Sequence, residues 1–282
     1  MKPLSIAGML GVLISTVLLA LGTGAGSPAQ AAAPTKIGPG VQMITQGAQC
    51  TANFVFRDGS GRTYVGYAAH CAGKGSSSDT NGCTTPSYRM GTRVTFVTGA
   101  NLLGEGQVLG HGRLAYSSWT AMKRAHTTGA ACLYNDFALV RVDAASLPRV
   151  SPTVPQFGGP TGLAGLPAPG TEVYTLGSSS LRGSTQAKSG TVQTRSPWTM
   201  SVFTPSPGVP GDSGSGFLDA RGRAVGVLST LALFPDAGSN GVGSLYREVQ
   251  FARNHGVAGL HLVRGRAAFS PPSGGLLGGL LG

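Results

Sequence analysis

From Cys50 onward the apolar residues come in short runs, separated by residues that favour turns. The first half holds Phe54-Val55-Phe56, Tyr64-Val65-Gly66-Tyr67, Val94-Thr95-Phe96-Val97 and Phe137-Ala138-Leu139-Val140. The second half holds Val173-Tyr174-Thr175-Leu176, Thr191-Val192-Gln193, Met200-Ser201-Val202-Phe203 and Ala224-Val225-Gly226-Val227-Leu228. Short apolar or alternating runs bounded by Gly, Asp, Asn and Ser read as strands. The 46 glycines follow no three-residue period, so they mark turns and tight loops rather than a fibrous repeat. Arg57-Asp58-Gly59-Ser60-Gly61 reads as a hairpin turn, with Asp-Gly supplying the positive φ. The chain is therefore β-rich, and 282 residues with 41% hydrophobic content suffice for a buried core. A proline-rich stretch from Leu147 to Gly170 reads as a connection between two halves. Near the end, Ser244 is placed to cap a helix running to about Asn254, with Leu245, Val249 and Ala252 on one face and Gly256 ending it.

The first residues have the order of a secretory signal: Lys2, an apolar stretch from Leu4 to Leu21, then small residues around Ala29-Gln30-Ala31. Cleavage is expected after Ala31 or Ala33, leaving no stable membrane span. The four cysteines, Cys50, Cys71, Cys83 and Cys132, suggest two disulfides in an exported chain, and three pairings are open. They lack the C-x-x-C spacing of a zinc site. The net charge of +11 comes from scattered basic residues, not a stripe, which argues against a nucleic-acid partner.

Three segments carry the chemistry: Ala68-Ala69-His70-Cys71, Asn135-Asp136-Phe137-Ala138-Leu139 and Gly211-Asp212-Ser213-Gly214. Taken singly, each has an ordinary explanation: a core histidine, a turn aspartate, a glycine turn. Together, in this order and in an exported β-rich chain, they supply a base, its orienting carboxylate and a nucleophile. The α/β-hydrolases place serine before histidine, and their G-x-S-x-G elbow fails here because position 215 is serine.

These segments resemble the three signatures of the chymotrypsin or trypsin-like serine proteases, and look most like the secreted actinobacterial branch that includes the streptogrisins. The resemblance implies an all-β fold of two six-stranded antiparallel β-barrels, with the active site between them and a short C-terminal helix. It spans roughly residues 37 to 256. The implied division is a signal peptide at 1–31, an N-terminal segment at 32–48, a first barrel at 49–147, a connection at 148–170, a second barrel with its helix at 171–256, and a partly flexible tail at 257–282.

The resemblance also implies roles. His70, Asp136 and Ser213 form a catalytic triad, and the N–H groups of Gly211 and Ser213 form an oxyanion hole. Asp212 belongs to a buried ion pair that shapes the oxyanion loop. Lys36-Ile37-Gly38-Pro39-Gly40 faintly echoes an activation site, but an internal arginine is favoured as the cation, with Arg182 the candidate. The bridges are Cys50–Cys71 and Cys83–Cys132. The cysteines that usually brace the second barrel are missing, with Val209 where one is expected, and Ser215-Gly216 replaces a common Gly-Pro. Pro207 stands where a trypsin-like pocket carries an acidic residue, and Ser229-Thr230-Leu231 stands as the pocket wall, with leucine in place of glycine. The expectation is a secreted, extracellular bacterial serine endopeptidase, monomeric, acting on peptide or protein substrates without metal or cofactor. It should lack a strong Arg or Lys preference and favour small or apolar side chains. The competing readings are an inactive binding protein on the same fold and an esterase using the same triad.

Overall fold

The structure, a computed structural model, describes residues 29–75, 79–231 and 238–271. In chain order the strands are β1 (Ala29–Ala31), β2 (Gln42–Thr45), β3 (Ala48–Thr51), β4 (Val55–Arg57), β5 (Thr63–Tyr67), β6 (Arg93–Thr98), β7 (Gln107–Ser117) and β8 (Ala138–Val142). Then come β9 (Gly162–Leu163), β10 (Glu172–Gly177), β11 (Thr185–Arg195), β12 (Thr199–Phe203), β13 (Gly216–Asp219), β14 (Arg223–Leu231), β15 (Ser239–Ser244) and β16 (His261–Leu262). The helices are α1 (Ser118–Arg124), α2 (Ala130–Tyr134) and α3 (Leu245–Asn254). Among the described residues no helix is long and apolar enough to cross a membrane.

Two antiparallel barrels account for most of the strands, as expected, with β1 and β16 added outside them and β9 paired parallel to β14. In the second, β11, β10, β13, β14, β15 and β12 pair in that order, and β12 pairs back onto β11 to close the ring. In the first, β5, β8, β7, β6, β2 and β3 follow one another, with β4 on the far side of β5. The Asn53 N–H donates to Gly66 O and the Gly66 N–H to Phe54 O, so β3 runs on through a bend into β4 and the first barrel also closes. Closure leaves no long unpaired edge. Inward-facing Val65, Phe96, Leu114, Phe137 and Val140 fill the first barrel, and Val173, Met200, Val202, Phe217 and Val225 fill the second.

Every strand run read from the sequence falls within or overlaps a strand. The turn after β4 forms, but the positive φ falls on Gly61 (φ 78°), while the Asp58 carboxylate accepts the N–H groups of Ser60 and Arg62. Helix α3 forms with Ser244 at its N-cap, although the Ser244 hydroxyl caps nothing. Residues 257–271, read from the sequence as the start of a tail, are packed: β16 pairs with β4, and Phe269 lies 5.6 Å from the Tyr174 ring. Most of the signal segment (1–28) and the end of the tail (272–282) lie outside the described residues.

Candidate active site

His70 sits on a single 3₁₀ turn (Ala69–Ala72) directly after β5. The Cys50–Cys71 disulfide ties that turn to β3. This bridge and Cys83–Cys132 are the two pairs expected. The sulfurs of Cys50 and Cys71 lie within 4.8 Å of the His70 ring, but they are bonded to each other and so are not metal ligands.

Asp136 lies between α2 and β8, and the chain around it is fixed from several sides. Ser118 Oγ donates to Asn135 O (2.7 Å) and accepts the Phe137 N–H (3.0 Å). Phe137 is fully buried against Phe56 and Tyr116. The Asp136 carboxylate then meets His70 twice. Oδ1 accepts the His70 backbone N–H at 2.8 Å, and Oδ2 lies 2.6 Å from His70 Nδ1. Ser229 Oγ, reaching in from β14, donates to Oδ2 at 2.6 Å.

Electrostatics follow from this arrangement. Burial alone would lower the His70 pKa, but the Asp136 charge and hydrogen bond outweigh it and hold it above the ordinary imidazole value. Burial alone would raise Asp136, but the His70 charge and the hydrogen bonds from His70 and Ser229 hold it below the usual carboxylate range. An ionised carboxylate only accepts, so Nδ1 carries the imidazole proton and the Nε2 lone pair is left to take another.

Ser213 approaches from the second barrel. Its carbonyl accepts the Thr51 N–H at 2.8 Å. A Cβ at Gly214 (φ 89°) would lie 2.8 Å from Ala68 N, two residues before His70. Gly214 N–H donates to Leu228 O (2.8 Å), beside Ser229. The loop bearing Ser213 is thus wedged between the His70 strand and the Ser229 strand. The Ser213 side chain is partly exposed, and among the described residues its hydroxyl makes no hydrogen bond to His70.

Gly211 takes φ 98°, and a Cβ there would run into Gln49 Oε1. Its carbonyl accepts from Thr51 Oγ1 (2.8 Å) and Gln49 Nε2 (3.0 Å). Ser179 Oγ donates to Pro210 O at 2.5 Å. In a trans peptide the C=O and N–H point in opposite directions, so holding Pro210 O aims the Gly211 N–H the other way. Among the described residues neither the Gly211 N–H nor the Ser213 N–H is spent on a hydrogen bond.

Asp212 is buried, and its cation is not Arg182. Lys188 Nζ, from β11, lies 2.8 Å from Asp212 Oδ2, with both side chains at most 4% exposed. Arg182, at the end of a 3₁₀ turn (Ser180–Arg182), instead donates to Ser206 Oγ and Pro207 O. The Ser179 and Val209 N–H groups complete the Asp212 carboxylate (3.0 and 3.2 Å). Ser215 braces this loop, its Oγ donating to Asp212 O at 2.5 Å.

The pocket residues fall into two groups. Ser229 faces Asp136, so its hydroxyl belongs to the His70–Asp136 pair rather than to a pocket wall. Beside Pro207 and Thr230 runs Asn240: its Oδ1 accepts the N–H of Gly208 (2.8 Å), the residue after Pro207, and its Nδ2 donates to Thr230 O (3.4 Å). The Leu231 side chain lies outside the described residues. Sequence reading missed Lys188, Asn240 and Glu248. None of the three stood out: Lys188 lies outside the strand run read at Thr191-Val192-Gln193.

Comparison with known proteins gives the following. The profile of the trypsin-like peptidase domain matches residues 68–227, more than half of the chain. No curated protein matches. Among solved structures, Thermobifida fusca Protease A is 19% identical, covering 81% of this chain and 99% of its own, at a TM-score of 0.49. Cellulomonas bogoriensis chymotrypsin is 18% identical, covering 80% and 98%, also at 0.49. A Glu endopeptidase, solved in complex with MPD, is 16% identical, covering 79% and 96%, at 0.51. At that identity the likeness to the last establishes the shared fold and nothing finer.

Proposed function

The chain belongs to the trypsin-like peptidase family, the class of the serine endopeptidases, and from that premise we propose that it hydrolyses peptide bonds through an acyl-enzyme on Ser213. Ser213 Oγ attacks the scissile carbonyl while His70 Nε2 takes its proton. A tetrahedral oxyanion forms and collapses, the C–N bond breaks, and His70 gives the proton to the leaving amine. Water repeats the sequence to release the acid. Asp136 holds the imidazole tautomer and offsets its positive charge. The N–H groups of Gly211 and Ser213 receive the oxyanion, each donor contributing about 3 kcal/mol.

The observation that carries this reading is the doubly bonded His70–Asp136 pair with Ser229 on the same carboxylate. Three donors on one buried carboxylate fix the ring to one orientation, which general-base work requires and a core histidine does not. The open His70–Ser213 contact is compatible, because such hydrogen bonds tighten when substrate arrives.

Two finer statements belong to the same proposal. Export behind the signal at 1–31 suits two formed disulfides, which persist in oxidising compartments. The Asn240 side chain spans from Gly208 to Thr230 across the expected pocket base, supporting a shallow pocket for small or apolar residues. Rapid selective cleavage after Arg in a peptide library would remove that preference.

The test is a fluorophosphonate probe with peptide and ester panels on the mature chain. Labelling at Ser213, lost in Ser213→Ala along with peptide hydrolysis, is the expected result. Folded protein that neither labels nor cleaves would make this a binding protein. Ester turnover without peptide turnover would make it an esterase.

A further inference from the structure

Glu248 is fully buried in α3, on the same face as Leu245, Val249 and Ala252. A buried carboxyl needs partners, because burying an unpaired charge is costly. Its Oε1 accepts the backbone N–H of Asp136 at 3.2 Å. Its Oε2 has no hydrogen-bond partner among the described residues. The backbone closes over it, since a Cβ at Gly243 would lie 2.5 Å from Oε1.

The surrounding groups offer no positive charge. The loop before β8 presents Asp136, itself an anion. Strand β7 presents Tyr116, whose hydroxyl is buried and unpartnered, and is pushed up first by burial and then by Glu248. The preceding residue of α3, Arg247, lies 5.6 Å over the Trp198 ring instead. Among the described residues no cation pairs with Glu248. An ionised Glu248 would therefore be desolvated and repelled by Asp136 at once. Both effects push its pKa well above the ordinary value, burial first and the Asp136 charge second.

We infer that Glu248 is a positioning residue for Asp136: it works as an uncharged carboxylic acid that anchors the main chain at position 136 and leaves the negative charge behind His70 on Asp136. This rests on the proposed role of the His70–Asp136 pair. As a neutral acid, Glu248 supplies a carbonyl oxygen to the Asp136 N–H without adding a second charge that would bind the His70 proton too tightly. The handover is local: α3 belongs in sequence to the second barrel, yet it holds a loop of the first.

Two variants separate this role from plain packing. Glu248→Gln copies a neutral acid and keeps the carbonyl acceptor. Glu248→Leu keeps the apolar bulk and removes the acceptor. The readouts are kcat and KM against pH, the His70 imidazole titration followed by NMR in a Ser213→Ala background, and thermal unfolding against pH. Glu248→Gln should match the parent in kcat and in the His70 titration. Glu248→Leu should lose about 10- to 100-fold in kcat, the cost of a misplaced catalytic group, with KM little changed. Its His70 pKa should fall, because the Asp136 contact that raises it is loosened.

Linkage supplies an independent reading. The folded pKa of Glu248 is raised above the unfolded value of 4.5, so the parent loses stability as pH climbs from that value toward the folded pKa. Glutamine carries no such proton. The Tm advantage of Glu248→Gln should thus be small near about pH 4 and widen toward neutrality. A flat difference, or a His70 pKa lowered by Glu248→Gln, would mean that Glu248 is ionised and would overturn the inference. An unchanged His70 titration in Glu248→Leu would overturn the positioning role. The NMR and unfolding measurements need no turnover, so they stand apart from any failure of the peptidase reading itself.

Discussion

Replacing Lys188 with methionine removes the cation beneath Asp212 while keeping most of the buried stem. Asp212 would retain the Ser179 and Val209 N–H donors but lose its 2.8 Å partner, and its carboxylate is nearly inaccessible to water. Removing one member of a buried ion pair costs about 3–5 kcal/mol, mostly from the charge left behind. The two remaining N–H donors place this case near the lower end, at about 3 kcal/mol, which for a chain of this size lowers Tm by roughly 6–12 °C. Activity should suffer further, because Asp212 lies between Gly211 and Ser213. If the loop shifts enough to misaim one oxyanion donor, kcat falls by about 10²–10³, with a smaller change in KM. The double variant Lys188→Met/Asp212→Asn should recover part of the stability, since no bare charge remains, but not the turnover. The assay is thermal unfolding with steady-state kinetics on a peptide substrate. A Lys188→Met protein that melts with the parent and keeps its kcat would refute the reasoning. So would loss of activity on acetylating the mature N-terminus, because that would make a terminal amine the working cation.

Two further outcomes follow from the same geometry. The acid limb of kcat/KM should lie above the ordinary imidazole pKa of 6.5, since Asp136 outweighs burial at His70, with activity falling as pH drops through that limb. Asp136→Asn should move the limb downward, and a parent limb below 6.5 would contradict the electrostatics. Replacing Cys83 and Cys132 together with serine frees a 49-residue separation and should cost about 4 kcal/mol in denaturant unfolding.

The strands were legible because their apolar residues alternate or cluster in short runs, a signal that survives without knowledge of partners. Helices α1 and α2 were not, being short, without a side-chain capping bond at either N-terminus and without a clear apolar stripe. Long β7 gave no strand run to read, and its Gly110 and Gly112 allow close approach of Ser146 and of the Arg141 backbone. His70, Asp136 and Ser213 stood out because chemistry restricts the residue types beside them. Lys188 did not, because nothing in the sequence separates it from the other basic residues, and only the β10–β11 register turns this one inward under Asp212. Ser229 was seen but given to a pocket wall, since the direction of a hydroxyl depends on the strand pairing. Glu248 carries no local mark of burial, because its surroundings depend on a loop more than a hundred positions earlier.

The segment after Ser244 has a temporal consequence. During synthesis the first barrel emerges early, yet its outermost strand, β16, and the carboxyl that holds Asp136 are made near the end. A nascent chain stopped at Ser244 would already carry His70, Asp136 and Ser213. It would still lack β16 and the Glu248 contact to the main chain of Asp136, so the proposed site would be complete only once the last segment had been made.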